Sequence, residues 1–266
     1  MTVINPISYT NVNFYGNGVK KNSLIHPTNT NLKAGFGLKH LELMDTVRKA
    51  AKERGEEIYL FGGAVRDCLL LRPIHDLDFI VNGNAIDFAE YLRNKHGDIF
   101  KNTFLKPSVK RAVVYTKDME IDIKPLSEDC KTIKGQDNIR KALIRNLKDN
   151  DFSINSMIIK LDEDQYGNMK LKFRDYLKGR EDLTQNQLRH NNKNSFMADP
   201  IKALRGLRLK FQYGMKLQSD TNKLMKDTLK NPKVKKNKFY YRYARECLRI
   251  TKEFFKKLFY ISGKVF

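Results

Sequence analysis

Cysteine is scarce in this 266-residue chain, and what little there is does not organise it. Cys68, Cys130 and Cys247 are odd in number and far apart, so their spacing encodes neither a disulfide framework nor a zinc site. The five histidines are scattered as well, none at metal-ligand spacing from another. Long apolar runs are missing: nothing approaches the roughly 20 residues that a transmembrane helix needs, and residues 1–20 lack the basic-then-apolar order of a secretory signal. Acidic residues are the other shortage, 30 Asp and Glu against 51 Lys and Arg, which leaves a formal net charge of +21. An excess of that size points to a polyanionic partner, and the absence of a membrane segment makes a cytoplasmic protein facing nucleic acid the expectation.

What is present suffices for a core, since 41% of the residues are apolar and the length suits one large domain or two small ones. Residues 1–38 are rich in Asn, Thr, Gly and Pro without a sustained period and read as a flexible leader. From Leu41 to about Arg54 apolar residues recur at helical spacing, with Gly55 as the stop. Ile58–Phe61 is a β-branched and aromatic strand that runs into Gly62-Gly63, after which Ala64–Leu71 returns to a helical pattern. Leu77–Val81 reads as a strand, Ala85–Asn94 as a helix, and Arg111–Tyr115 with Glu120–Lys124 as paired strands, while Phe152–Lys160 fits helix or strand equally. Residues 39–180 therefore read as a mixed α/β domain. Residues 181–266 read as all-α, with Leu204, Leu207 and Phe211, then Tyr243, Cys247, Ile250, Phe254 and Leu258, at helical spacing.

Asp76-Leu77-Asp78 puts two carboxylates on one face of a strand, because side chains alternate with period two. Such a pair repels itself unless a cation lies between, and hard divalent ions with oxygen ligands suit it. A solvated strand end would also carry two acids. Gly62-Gly63, between strand and helix, leaves backbone N–H groups open to phosphate oxygens with no Cβ in the way, though a tight turn alone would also need glycine. In Ile121-Asp122-Ile123 the acid faces opposite to its β-branched neighbours, and it becomes a third metal ligand only if its strand lies beside that of Asp76.

These residues stand in a longer order: Phe61-Gly62-Gly63-Ala64-Val65-Arg66-Asp67, Leu70, Arg72, Pro73, the Asp76/Asp78 pair, Asp151-Phe152-Ser153-Ile154-Asn155-Ser156-Met157, Asp175, Gly179, Asp182-Leu183, Leu188-Arg189, Asp199-Pro200 and Leu204-Arg205-Gly206-Leu207-Arg208. Over about 150 residues the chain resembles the bacterial-type (class II) tRNA nucleotidyltransferases, the CCA-adding enzymes, and the related bacterial poly(A) polymerases. The resemblance implies a polymerase-β-like α/β nucleotidyltransferase head followed by an all-α neck. It implies Mg²⁺ on Asp76 and Asp78, with Asp122 completing the site where an RNA 3′-hydroxyl attacks the α-phosphate of ATP or CTP. It assigns Gly62, Gly63 and Arg66 to the triphosphate, Asp151 and Asn155 to the ribose, and Asp199 to the incoming base, with Lys202 at the paired base-reading position and Arg205 and Arg208 closing from the neck. Two departures accompany it. Asp149-Asn150 stand where the family has two arginines, and Ala198-Asp199-Pro200-Ile201-Lys202 stand where it has Glu-Asp-x-x-Arg. Residues 245–266 leave little room for the further helical domains with which the family grips tRNA.

The basic excess is concentrated in residues 201–266, which hold 19 Lys or Arg against 4 Asp or Glu, a net +15. Tyr240, Tyr241, Tyr243, Phe254 and Phe255 are interleaved with these cations, a pattern that suits phosphate contacts plus base stacking and equally suits a core face beside a solvated one. Lys233, Lys235, Lys236, Lys238, Arg242 and Arg245 are the candidate RNA contacts. The expected activity is template-independent addition of nucleotides to an RNA 3′ end, tRNA first. A poly(A)-polymerase-like or tRNA-inactivating transferase and a catalytically silent RNA-binding homologue are the rivals.

Overall fold

The computed structural model describes residues 24–230 and 240–261. They fall into two compact units, one comprising Leu24–Glu181 and the other running from Asp182 onward. The first unit contains α1 (Asn29–Gly35), α2 (Leu38–Glu53), β1 (Ile58–Phe61), α3 (Gly63–Leu69), β2 (Asp76–Val81), α4 (Ala85–Lys95), β3 (Asn102–Lys106), β4 (Arg111–Tyr115), β5 (Glu120–Pro125), α5 (Gln136–Lys148), β6 (Ile158–Glu163) and β7 (Met169–Arg174). Its seven strands form one mixed sheet in the order β3-β4-β5-β2-β1-β6-β7. Every neighbouring pair is antiparallel except β2 with β5.

Local chemistry sets most of these elements. In α2 the buried Leu43, Met44, Val47, Ala50 and Ala51 form one helical stripe, and the chain leaves through Gly55 at φ +67°. Asn84 caps α4, its side chain accepting from the backbone N–H of Ile86 and Asp87. α5 covers one face of the sheet, its Ile139, Leu143 and Leu147 packing with Tyr59, Ile80 and Ile158. Leu60 and Phe79, which alternate with those strand residues, are fully buried on the opposite face. Phe152–Lys160, open between helix and strand in the sequence, resolves into a 3₁₀ turn at Ser153–Asn155 followed by β6. β3, β7 and α5 have no counterpart in the sequence reading.

The leader assignment fails between residues 24 and 38. Thr28 caps α1 by accepting from Asn31 N, Leu32 is fully buried, and Asn29 Oδ1 accepts a 2.8 Å bond from Leu171 N on β7. One short helix around one buried leucine is too brief to show a period, so the sequence hides it. Residues 1–23 lie outside the described residues.

α6 (Gly179–Thr184) crosses the division between the units. The second unit continues with β8 (Gln187–Leu188), α7 (Lys193–Ala198), α8 (Ile201–Tyr213), β9 (Lys216–Leu217), α9 (Ser219–Lys230) and α10 (Tyr240–Ile261). The neck is helical as expected, with one correction: β8 and β9 form a short parallel ladder. Gly214, at φ +64°, ends α8 in the left-handed conformation and turns the chain back so that Lys216 N reaches Asn186 O at 2.9 Å. Phe211 and Phe254, from two apolar stripes of the sequence, meet edge to face at 6.0 Å. No helix among the described residues is long and apolar enough to cross a membrane.

Candidate active site

The parallel pairing of β2 and β5 decides where the carboxylates stand. Asp78 is the register partner of Asp122, and Asp76 that of Glu120. Partners in a parallel pair project to the same face, so Asp76, Asp78 and Asp122 share one side of the sheet. On the other flank of β2, Asp78 is opposite Phe61, the last residue of β1, and the next residue is Gly62. Gly62 has φ +80°, and a Cβ there would stand 2.8 Å from Asp78 Oδ2. Two demands thus require glycine: a backbone that L side chains avoid and a carboxylate that needs the space.

Asp76 and Asp122 make no hydrogen bond or ion pair among the described residues. Their oxygens are of the hard type that divalent cations take, and no basic side chain neutralises them by direct contact, so the donor set fits such a cation. Among the described residues no group of three or more His, Cys, Asp and Glu side chains is gathered as a metal cluster. The Asp78/Asp122 pair, with Asp76 two residues upstream, is what the strands offer.

Arg66, Asn155 and Asp151 come together in one buried hydrogen-bond chain. The Arg66 guanidinium bonds both oxygens of Asp67, at 3.1 and 2.8 Å, and also donates to Asn155 Oδ1. Asn155 Nδ2 in turn donates to Asp151 Oδ1 at 3.0 Å, which also accepts from Phe152 N at 2.8 Å. The turn carrying these residues requires Gly179 beside it, because a Cβ there would meet Ser153 O at 2.2 Å.

Sequence reasoning missed Lys124. It lies two residues beyond Asp122 on the same face of β5, buried, 4.1 Å from the centre of the Phe61 ring, and its Nζ donates to Asn150 Oδ1 at 3.3 Å. Asn150 Nδ2 continues to Asn155 O at 3.2 Å. Asn150, one of the two departures from the family pattern, thereby ties β5 to the Asp151–Asn155 turn. Burial, reinforced by repulsion from Arg111, pushes the Lys124 ammonium down to about 7 against the pull of Asp78, Asp122 and Asp149. The alternation Ile121-Asp122-Ile123-Lys124 was the available signal: a lysine sharing the face of an acid between buried isoleucines.

In the second unit the motif residues Asp182 and Arg189 pair with each other at 2.8 Å. Lys202, Arg205 and Arg208 follow one another at three-residue spacing on α8, and Arg208 Nε donates to the buried Glu246 of α10 at 2.6 Å. Asp199 precedes α8 and pairs with Arg242 of α10. Arg245 is exposed. Lys233, Lys235, Lys236 and Lys238 lie outside the described residues.

Residues 58–189, which include the glycine turn, the three aspartates and the Asp151–Asn155 turn, match the family model of the poly(A) polymerase head domain. Residues 58–189 belong to the poly(A) polymerase head-domain family. The chain is 31% identical over 177 residues to the A-adding tRNA nucleotidyltransferase of Aquifex aeolicus, a match covering 64% of this chain and 20% of that protein. A CCA-adding enzyme of Pseudomonas putida is 31% identical over 175 residues, covering 64% of this chain and 43% of its own. Among solved structures, a CCA-adding enzyme in complex with CTP superposes with TM-score 0.69 at 25% identity, over 85% of this chain and 51% of that one. The Thermotoga maritima CCA-adding enzyme complexed with tRNA gives 0.66 at 25% identity, over 85% and 50%. The chain spans about half the length of these family members, or less.

Proposed function

We propose that this chain is a template-independent RNA nucleotidyltransferase, adding nucleotides from ATP and CTP to an RNA 3′ end, with tRNA as substrate and Mg²⁺ as its cation. The observation that supports it is the register of Asp78 with Asp122 beside Gly62, inside a poly(A) polymerase head. A divalent cation held by Asp76, Asp78 and Asp122 supplies charge neutralisation at the reacting phosphate and 3′-oxygen. Gly62 and Gly63 let phosphate oxygens approach the backbone N–H groups at the start of α3. Asp151 and Asn155 face the ribose, their amide and carboxylate orientations fixed by the chain through Arg66. Arg66, whose guanidinium also pairs with Asp67, addresses the triphosphate. From the neck, Asp199 addresses the base, and Lys202, Arg205 and Arg208 the base and phosphates. Arg242, Arg245 and the Lys233–Lys238 run contact RNA phosphates.

A second reading, addition of A alone, has its own support: three relatives bear the name A-adding tRNA nucleotidyltransferase. Adenylate addition is common to both names, so ATP is the donor both readings require. The experiment supplies Mg²⁺ and each NTP singly to tRNAs ending before, within and after CCA, and reads product lengths. CTP extension of the tRNA lacking CCA selects CCA synthesis, and ATP extension of the CC-ended tRNA without any CTP step selects A addition. Absence of extension in every combination would leave an RNA-binding homologue and remove the proposal.

A further inference from the structure

Beyond Asp122 the aspartate-bearing face of the sheet stays open. Residues directly opposite each other on neighbouring strands project to the same face, so the registers can be followed across the sheet. Asp78 is opposite Asp122, Asp122 is opposite Val113 of β4, and Val113 is opposite Phe104 of β3, the edge strand. Tyr115 stands in the neighbouring row, opposite Glu120, which is itself the partner of Asp76. Arg111 and Lys106, opposite each other and two residues from Val113 and Phe104, share that face as well. The other face of these strands is closed, with Ala112, Val114, Ile121 and Ile123 fully buried and α4 packed on β3 and β4. On the aspartate face Phe104 is 59% and Tyr115 38% exposed. Arg111 is exposed too, and it makes no hydrogen bond or ion pair among the described residues. The Lys106 ammonium lies 5.9 Å from the centre of the Phe104 ring. A lone exposed phenylalanine is ordinary surface, whereas a ring beside an unpaired arginine, two strand spacings or roughly 10 Å from Asp122, has the make-up of a single-stranded nucleic acid seat.

Direction follows from the chemistry of transfer. In-line displacement at phosphorus puts the attacking oxygen opposite the leaving group. Gly62 and the start of α3, on the β1 flank of Asp78, are the proposed place of the triphosphate, so the acceptor 3′-hydroxyl has to arrive from the other flank, over Asp122. Past Asp122 in that direction the sheet continues only with β4 and β3. We propose that this open face seats the terminal nucleotide of the RNA acceptor, its base stacked on Phe104 and its 5′-phosphate held by Arg111, with Lys106 adding to the positive field. The inference rests on the proposed reading of the three aspartates as the site of transfer. Stacking tolerates any base because every base has a π-face, so one ring serves an acceptor whose last nucleotide changes with each addition.

The chain contains no tryptophan, so Phe104→Trp places a single fluorescent reporter at the seat. The probes are a tRNA ending in CC and the same tRNA with an abasic terminal nucleotide, bound to the full chain without NTP. The intact tRNA should quench the reporter and the abasic one should not. Phe104→Leu keeps an apolar side chain and removes the ring. It should weaken binding of the intact tRNA by about tenfold, leave the abasic tRNA unaffected, and change neither the melting temperature nor the KM for ATP. Arg111→Gln should reduce the log–log salt slope of tRNA binding by about 0.7. Equal losses for both tRNAs in Phe104→Leu overturn the inference, as does the absence of both quenching and loss, which would make Phe104 plain surface or a contact for another protein. Base-dependent quenching in a chain whose wild type extends no RNA removes the transferase reading and leaves the stacking seat standing. Extension by the wild type with undiminished tRNA affinity in Phe104→Leu keeps the transferase reading and removes the seat.

Discussion

At Gly62 a positive φ and the approach of Asp78 Oδ2 exclude every side chain, so Gly62→Ala strains the backbone and displaces a carboxylate in one step. The strain should cost about 1–3 kcal/mol of stability, read as a lowered urea midpoint. Activity should fall further than stability, by tenfold or more in kcat/KM on an RNA primer, because the displaced group is a proposed metal ligand. Asp76→Ala/Asp78→Ala should keep the wild-type melting profile and lose nearly all transfer; residual activity above a few per cent would rule out the metal assignment. Lys124 gives a pH dependence of defined sign. Its folded-state value near 7 lies below the unfolded one, so the unfolded chain holds a proton that the folded chain releases, and stability rises as pH climbs from about 7 toward the unfolded lysine value. Denaturant titrations of metal-free protein between pH 7 and 10 should show that rise, and Lys124→Met should flatten it.

Elements show a different limit. β1 and β2 are legible as strands because β-branched and aromatic residues concentrate in them, and α2 is legible because its stripe runs for four turns. α1 is not, because its place is set by what it touches: Leu32 is buried in the head and its carbonyl accepts from Cys68 Sγ at 3.6 Å. Leu32→Ala should therefore destabilise the protein by about 2–5 kcal/mol, as for other fully buried leucines. A change in unfolding free energy below about 0.5 kcal/mol, ordinary for a surface position, would return α1 to the leader. The Asp122 strand is an intermediate case. Its periodicity shows which way the acid faces, while its partner strand is fixed only when β5 inserts beside β2.

For the whole molecule, the +21 charge is an expectation about binding rather than about fold. RNA affinity should fall steeply with added salt, and replacing Lys233, Lys235, Lys236 and Lys238 by glutamine should flatten the log–log slope by about 0.7 for each phosphate that is no longer neutralised. An unchanged slope would make that run a solvated surface. By itself the sequence determined the chemistry available and the local periods: two acids on one strand face, a glycine turn, and ordered motifs that mark the family. These are legible because side-chain identity and alternation are local properties. Only the tertiary structure decided who meets whom. Arg66 meets Asn155 across 89 positions, Arg242 meets Asp199 across 43, and Asp78 stands beside Asp122 on a neighbouring strand. Period tells which face of an element is buried, but the choice of neighbour follows from closing one core over many elements at once, and no local pattern carries that information.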